Sequence, residues 1–67
     1  MYLIFTQPAC SNCILNKKVL DEKGIEYKEI DVTSSQENIE LANKYNVRMG
    51  GTVVNEDTGE HVNVNEL

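Results

Sequence analysis

The chain has 67 residues, enough for one small domain with a modest core. Its formal net charge is −5, with eleven acids scattered among six bases, which argues against nucleic acid or an anionic membrane as the main partner, since both require a basic face. The apolar run Tyr2-Leu3-Ile4-Phe5 is too short for a signal-peptide core or a bilayer span, so the expected setting is the cytoplasm, where lasting structural disulfides are rare.

That run is apolar at every position and reads as a central strand covered on both faces. Gln7-Pro8-Ala9 breaks it, and a helix is expected from about Cys10 or Ser11 to Lys23, with Gly24 as its stop. Ile14, Leu15, Val19 and Leu20 fall on one side of this helix; Asn16, Lys17, Lys18, Glu22 and Lys23 fall mostly on the solvated side. Ile25 to Val32 reads as a second strand, with an alternation that slips between Tyr27 and Ile30. Ser34 and Glu37 have the spacing of a capping box for a second helix, roughly Ser35 to Tyr45, which Asn46 would end in a left-handed conformation. Val47 to Gly51 is a loop, Thr52 to Val54 a short β-branched strand, Glu56 to Gly59 a turn, and His61 to Val64 an alternating strand. The order βαβαββ implies an α/β fold, with a parallel pair joined by a right-handed crossover and an antiparallel closing hairpin.

Cys10 and Cys13 are the only cysteines, and the loop they would close is too short to staple a fold. They read as small buried residues, as metal ligands or as a redox couple. A closed zinc site wants four ligands, and one chain offers these two and a distant His61, so it would need a second chain or an exogenous ligand. A junction of strand and helix within a βαβ unit favours the redox couple. There the free N–H groups of the first helical turn and the helix dipole favour a thiolate on Cys10, lowering its pKa below the free-thiol value of about 8.5. Cys13 lies one turn further in. Cys10 would attack a substrate disulfide, and Cys13 would then attack the Cys10 link and release reduced substrate.

The segments "YLIFTQPACSNC", "VLDEKGIEYKEIDVTSS" and "LANKYNVR" before a β hairpin resemble a glutaredoxin-like member of the thioredoxin superfamily, over nearly the whole chain. The resemblance implies a single domain over residues 1–67 and a four-stranded mixed sheet of thioredoxin-like fold with helices packed on it. It implies a thiol–disulfide oxidoreductase with Cys10 as nucleophile, Cys13 as resolving thiol, a redox-active disulfide and no tightly bound cofactor. Gln7, Pro8, Ser11, Asn12, Arg48, Gly51 and Thr52 are the expected substrate contacts, with Arg48 placed to hold a carboxylate. Lys17 and Lys18, His61, and Tyr27 with Tyr45 are expected in solvated or packing roles.

The chain also departs from the family pattern. Gly51 stands where the family has a cis-proline before the threonine of the third strand, and a cis bond without proline costs about 2.5–4 kcal/mol, so a trans glycine loop is expected. That proline resembles a shield against metals; its loss raises the alternative of a zinc or iron–sulfur module built on Cys10 and Cys13 across a dimer. Gln7 replaces a common lysine, Ser11-Asn12 a common aromatic, and "HVNVNEL" lacks the glutathione-binding pattern, with the last helix truncated or absent. These departures are compatible with the NrdH-redoxin type, which resembles thioredoxin in use. The expected partners are a disulfide-containing protein substrate, ribonucleotide reductase among them, and thioredoxin reductase or glutathione as donor to a monomer.

Overall fold

The computed structural model describes residues 1–67. Its elements are β1 (Tyr2–Thr6), α1 (Ser11–Glu22), β2 (Tyr27–Asp31), α2 (Gln36–Lys44), β3 (Val53–Asn55) and β4 (Glu60–Val62), followed by a 3-10 turn at Val64–Glu66. One four-stranded sheet runs β2-β1-β3-β4, with β1 parallel to β2 and antiparallel to β3, and β3 antiparallel to β4. This is the mixed α/β sheet expected from the order of elements. No helix is long and apolar enough to cross a membrane.

β1 is central and buried on both faces, as its unbroken apolar run requires. Leu3 and Phe5 point to one side, where Ile30, Val54, Ala42 of α2 and Val47 complete a core. Ile4 points to the other, against Leu20 of α1, Val53 and Val64. The slip in β2 follows from the same arrangement. Tyr27 pairs with Tyr2 and packs toward α1, whereas Ile30, three residues on, pairs with Phe5 and packs toward α2. An odd separation sends two side chains to opposite faces, so no single alternation fits both.

The phase of α1 differs from the sequence expectation. Val19 and Leu20 pack inward as expected, but the rest of the inward stripe is Cys13, Asn16 and Lys17, while Ile14 and Leu15 are 63% and 58% exposed. Leu20 is fully buried and Cys13 nearly so, seven residues apart on one face, and this pair sets the helix rotation. Ile14 and Leu15, turned about 100° and 200° from Cys13, face outward. The start of α2 also shifts by one residue. Ser35 is its cap, with Oγ accepting the Asn38 N–H at 3.3 Å. Ser34 instead donates its hydroxyl to Asp31 O at 2.9 Å and accepts from the Asn38 side chain at 3.0 Å, so Ser34 and Glu37 form no capping box. Gly24 and Asn46 take the positive φ expected of helix stops, at 69° and 62°.

The helix phase makes opposite demands on two neighbouring apolar positions. Leu20→Ala should cost about 2–5 kcal/mol in urea unfolding, whereas Ile14→Ser should change stability by no more than about 0.5 kcal/mol. A second expectation concerns Asp31, whose carboxylate accepts the Thr33 hydroxyl at 2.6 Å and the Thr33 N–H at 2.8 Å; these bonds hold its pKa below the ordinary carboxylate value. The stability they lend is present at neutral pH and is lost as pH falls through that depressed value. Thr33→Val should therefore raise the Asp31 pKa in an NMR titration, with a stability loss seen at neutral pH that fades in acid.

Candidate active site

Cys10 is the N-cap residue of α1, with φ −99° and ψ 106°. Its Sγ accepts the Cys13 N–H at 3.2 Å, the place a serine or aspartate oxygen usually takes. The two sulfurs lie at disulfide distance, with Cα atoms 5.3 Å apart. Cys10 is half-buried, while Cys13 is 3% exposed. Cys13 Sγ sits 3.8 Å from Phe5 O, a contact that becomes a weak hydrogen bond when the thiol is reduced. Ala9, just ahead of the cap, adopts φ 58°, a left-handed conformation that an L-residue holds at some cost.

Opposite the cysteines, Gly50 brings bare backbone against Cys10 Sγ and Gly51 brings it against the first turn of α1. A Cβ on Gly50 would stand 2.8 Å from Cys10 Sγ; one on Gly51 would stand 2.9 Å from the backbone and Cβ of Asn12. Gly51 also has φ 86°, and the chain contains no cis peptide bond, so the loop is trans as its lack of proline suggests. Two hydrogen bonds fix it. Gly51 N–H donates to Phe5 O at 2.7 Å, and Gly51 O accepts from Asn16 Nδ2 at 2.6 Å.

A family model for glutaredoxin matches residues 2–53, which include both cysteines and the glycine loop. The chain belongs to the glutaredoxin family. A comparison with curated proteins returns no match. Glutaredoxins are thiol–disulfide oxidoreductases that use a redox-active cysteine pair with no tightly bound cofactor. In this glutaredoxin no group of three or more His, Cys, Asp or Glu side chains is gathered to hold a metal ion. His61 lies on β4 with its ring Nε2 2.7 Å from Tyr45 O at the end of α2.

The residues expected round the cysteines are brought together in part. Gln7 borders Gly50, with its side chain about 3.1 Å from where a Gly50 Cβ would stand, and Pro8 lines the same cleft as both cysteines. Ser11 is exposed in the first turn of α1, and Asn12 supplies the backbone against which Gly51 packs. Thr52 turns its hydroxyl to Met49 O at 2.8 Å, and its own carbonyl accepts from Phe5 N–H at 2.9 Å, which anchors the loop. Arg48 is exposed and reaches Asn46 Oδ1 at 3.1 Å and Asn43 Oδ1 at 3.5 Å, in a second cleft with Gln7, Met49 and Gly50. It has no carboxylate partner in the chain.

Two site residues escaped the sequence reading. The sequence pattern places Asn16 and Lys17 on the solvated side, yet Asn16 holds the glycine loop and Lys17 turns into the cleft of Cys10 and Cys13, paired with Glu29 at 3.2 Å. Their spacing of three and four from Cys13 was the available signal. Gly51→Ala should cost more than about 1 kcal/mol, since it adds a clash to a positive φ. Asn16→Ala should cost about 1–3 kcal/mol for the carbonyl left unpaired. Thermal or urea unfolding of the two variants measures both.

Proposed function

We propose that this glutaredoxin is a cytoplasmic, monomeric dithiol redoxin that reduces protein disulfides, with Cys10 as nucleophile and Cys13 as resolving thiol. The observation that carries the reading is Cys10 at the cap of α1, accessible, with Cys13 buried one turn behind it. The free N–H groups at the helix start favour a Cys10 thiolate. That thiolate attacks one sulfur of the substrate disulfide; the S–S bond breaks and the other substrate sulfur leaves as a thiolate that takes up a proton. Cys13 then attacks Cys10 Sγ, closing the Cys10–Cys13 disulfide and releasing the second substrate thiol. Two electrons have passed from the pair to the substrate, and an external dithiol or thiol must return them.

We assign the donor to a thioredoxin reductase and the acceptor to a ribonucleotide reductase, as in the NrdH-redoxin type. Gln7 in place of a lysine, the polar Ser11-Asn12 pair, and Asn63-Val64-Asn65 after β4 lack the charged groups expected there for glutathione, which leaves Arg48 as the one cation beside the glycine loop. A substrate protein instead meets Pro8 and Ile14 in the cleft of the cysteines and Met49 beside Gly50, with Ile14 and Met49 both about two-thirds exposed.

Cys10→Ser should abolish reduction of a protein disulfide, and Cys13→Ser should accumulate a mixed disulfide visible by mass spectrometry. Full turnover by Cys10→Ser would sink the assignment. Thioredoxin reductase with NADPH should reduce the oxidised protein faster than glutathione with its own reductase does; the reverse order would move the donor to glutathione and leave the dithiol chemistry standing.

A further inference from the structure

The reaction above gives no part to Lys17, although its position is an unusual one for a lysine. It follows Cys13 by four residues on the inward stripe of α1, and its side chain is only about one-third exposed. Nζ lies 3.2 Å from Glu29 Oε1, and the same oxygen accepts the Thr6 hydroxyl at 3.4 Å. Glu29 and Asp31 face α1 because they stand in register with Ile4 and Thr6 of β1. Helix and strand thus enclose an open cleft, and the ionisable groups lining it are Cys10, Cys13, Lys17, Glu29 and Asp31. β1 adds only Thr6 to the cleft, and the segment before α1 adds Gln7, Pro8 and Ala9, all uncharged. Asp31 is already engaged with Thr33. Lys17 is the one cation in the cleft.

A half-exposed ion pair of this kind adds little to stability. Its placement bears on chemistry instead. The resolving step needs Cys13 as a thiolate, and Cys13 is buried, with Phe5 O 3.8 Å from its sulfur. A cation in the same cleft offsets part of the cost of that charge, against the Glu29 and Asp31 carboxylates that oppose it.

We propose that Lys17 is a positioning residue for the resolving step: its ammonium, held over the cleft by Glu29, favours the Cys13 thiolate that attacks the Cys10 mixed disulfide. This rests on the dithiol reading given above. In the step, the Cys13 thiol releases its proton to water in the cleft and its sulfur attacks Cys10 Sγ. The Cys10–Cys13 bond forms, the bond between Cys10 and the substrate sulfur breaks, and the electron pair leaves on the substrate thiolate, which is then protonated. Both cysteines end oxidised and the substrate ends reduced.

The test uses reduced protein and a chromogenic aryl disulfide. Attack by Cys10 releases one aryl thiol at a rate that depends on reagent concentration; attack by Cys13 releases a second at a rate that does not. Lys17→Met and Lys17→Gln remove the charge and keep most of the stem, Lys17→Arg keeps the charge, and Lys18→Met is an exposed control on the same helix. At neutral pH, Lys17→Met and Lys17→Gln should slow the second release about three- to tenfold and move its pH midpoint upward. The first release should stay within about twofold of the parent, because Cys10 Sγ already has the Cys13 N–H and the start of α1 to favour its charge. Lys17→Arg should restore the second release, and Lys18→Met should match the parent throughout. A second release in the neutral variants with the parent's rate and midpoint overturns the proposal, as does a Lys17→Arg variant as slow as they are. Failure of the dithiol reading looks different: the parent protein itself would then release no second aryl thiol.

Discussion

The carbonyl of Phe5, near the end of β1, is the fixed point of the site. Its oxygen accepts the Gly51 N–H at 2.7 Å and faces Cys13 Sγ at 3.8 Å, which the two lone pairs of one carbonyl allow. The Phe5 N–H donates to Thr52 O, so both backbone groups of this residue serve the loop opposite the cysteines. β1 can act as such a reference because it is paired on both edges and buried on both faces. The glycine loop and the cysteine helix are each positioned against that strand.

In related chains a cis-proline is expected in this loop; here the loop is trans, built on glycine and held by two hydrogen bonds. The bond from Asn16 is the less obvious one, since it ties the loop to the same helix that Cys10 caps. Glycine contributes by omission, because any Cβ at Gly50 or Gly51 would meet Cys10 Sγ or the first turn of α1. A glycine pair with no side chains of its own has thereby gained a definite position.

Most of the architecture could be read from residue order. The β1 run showed a strand buried on both faces, Gly24 and Asn46 marked helix ends, and the cysteines fell at the junction of strand and helix. The rotation of α1 could not be read the same way. Hydrophobic patterning assumes that polar residues face water, and α1 violates it where Asn16 and Lys17 turn inward to a loop carbonyl and a carboxylate. Ile14 and Leu15 then look like core, and the two polar residues that α1 turns inward look like surface. The α2 cap failed for a smaller reason: Ser34 and Ser35 both suit the role, and the backbone of Asp31 engages Ser34 first. Local sequence could not rank them.

Val64 lies beyond the last strand and beyond the residues that the family model matches, yet it is buried with Ile4, Leu20 and Val53 under α1. The cysteine helix therefore rests partly on the 3-10 turn. A fragment cut to the family-matched segment for transplantation into another scaffold would keep both sulfurs and the glycine loop but leave Leu20 open on one side. The smallest portable version of this redox helix runs through Val64.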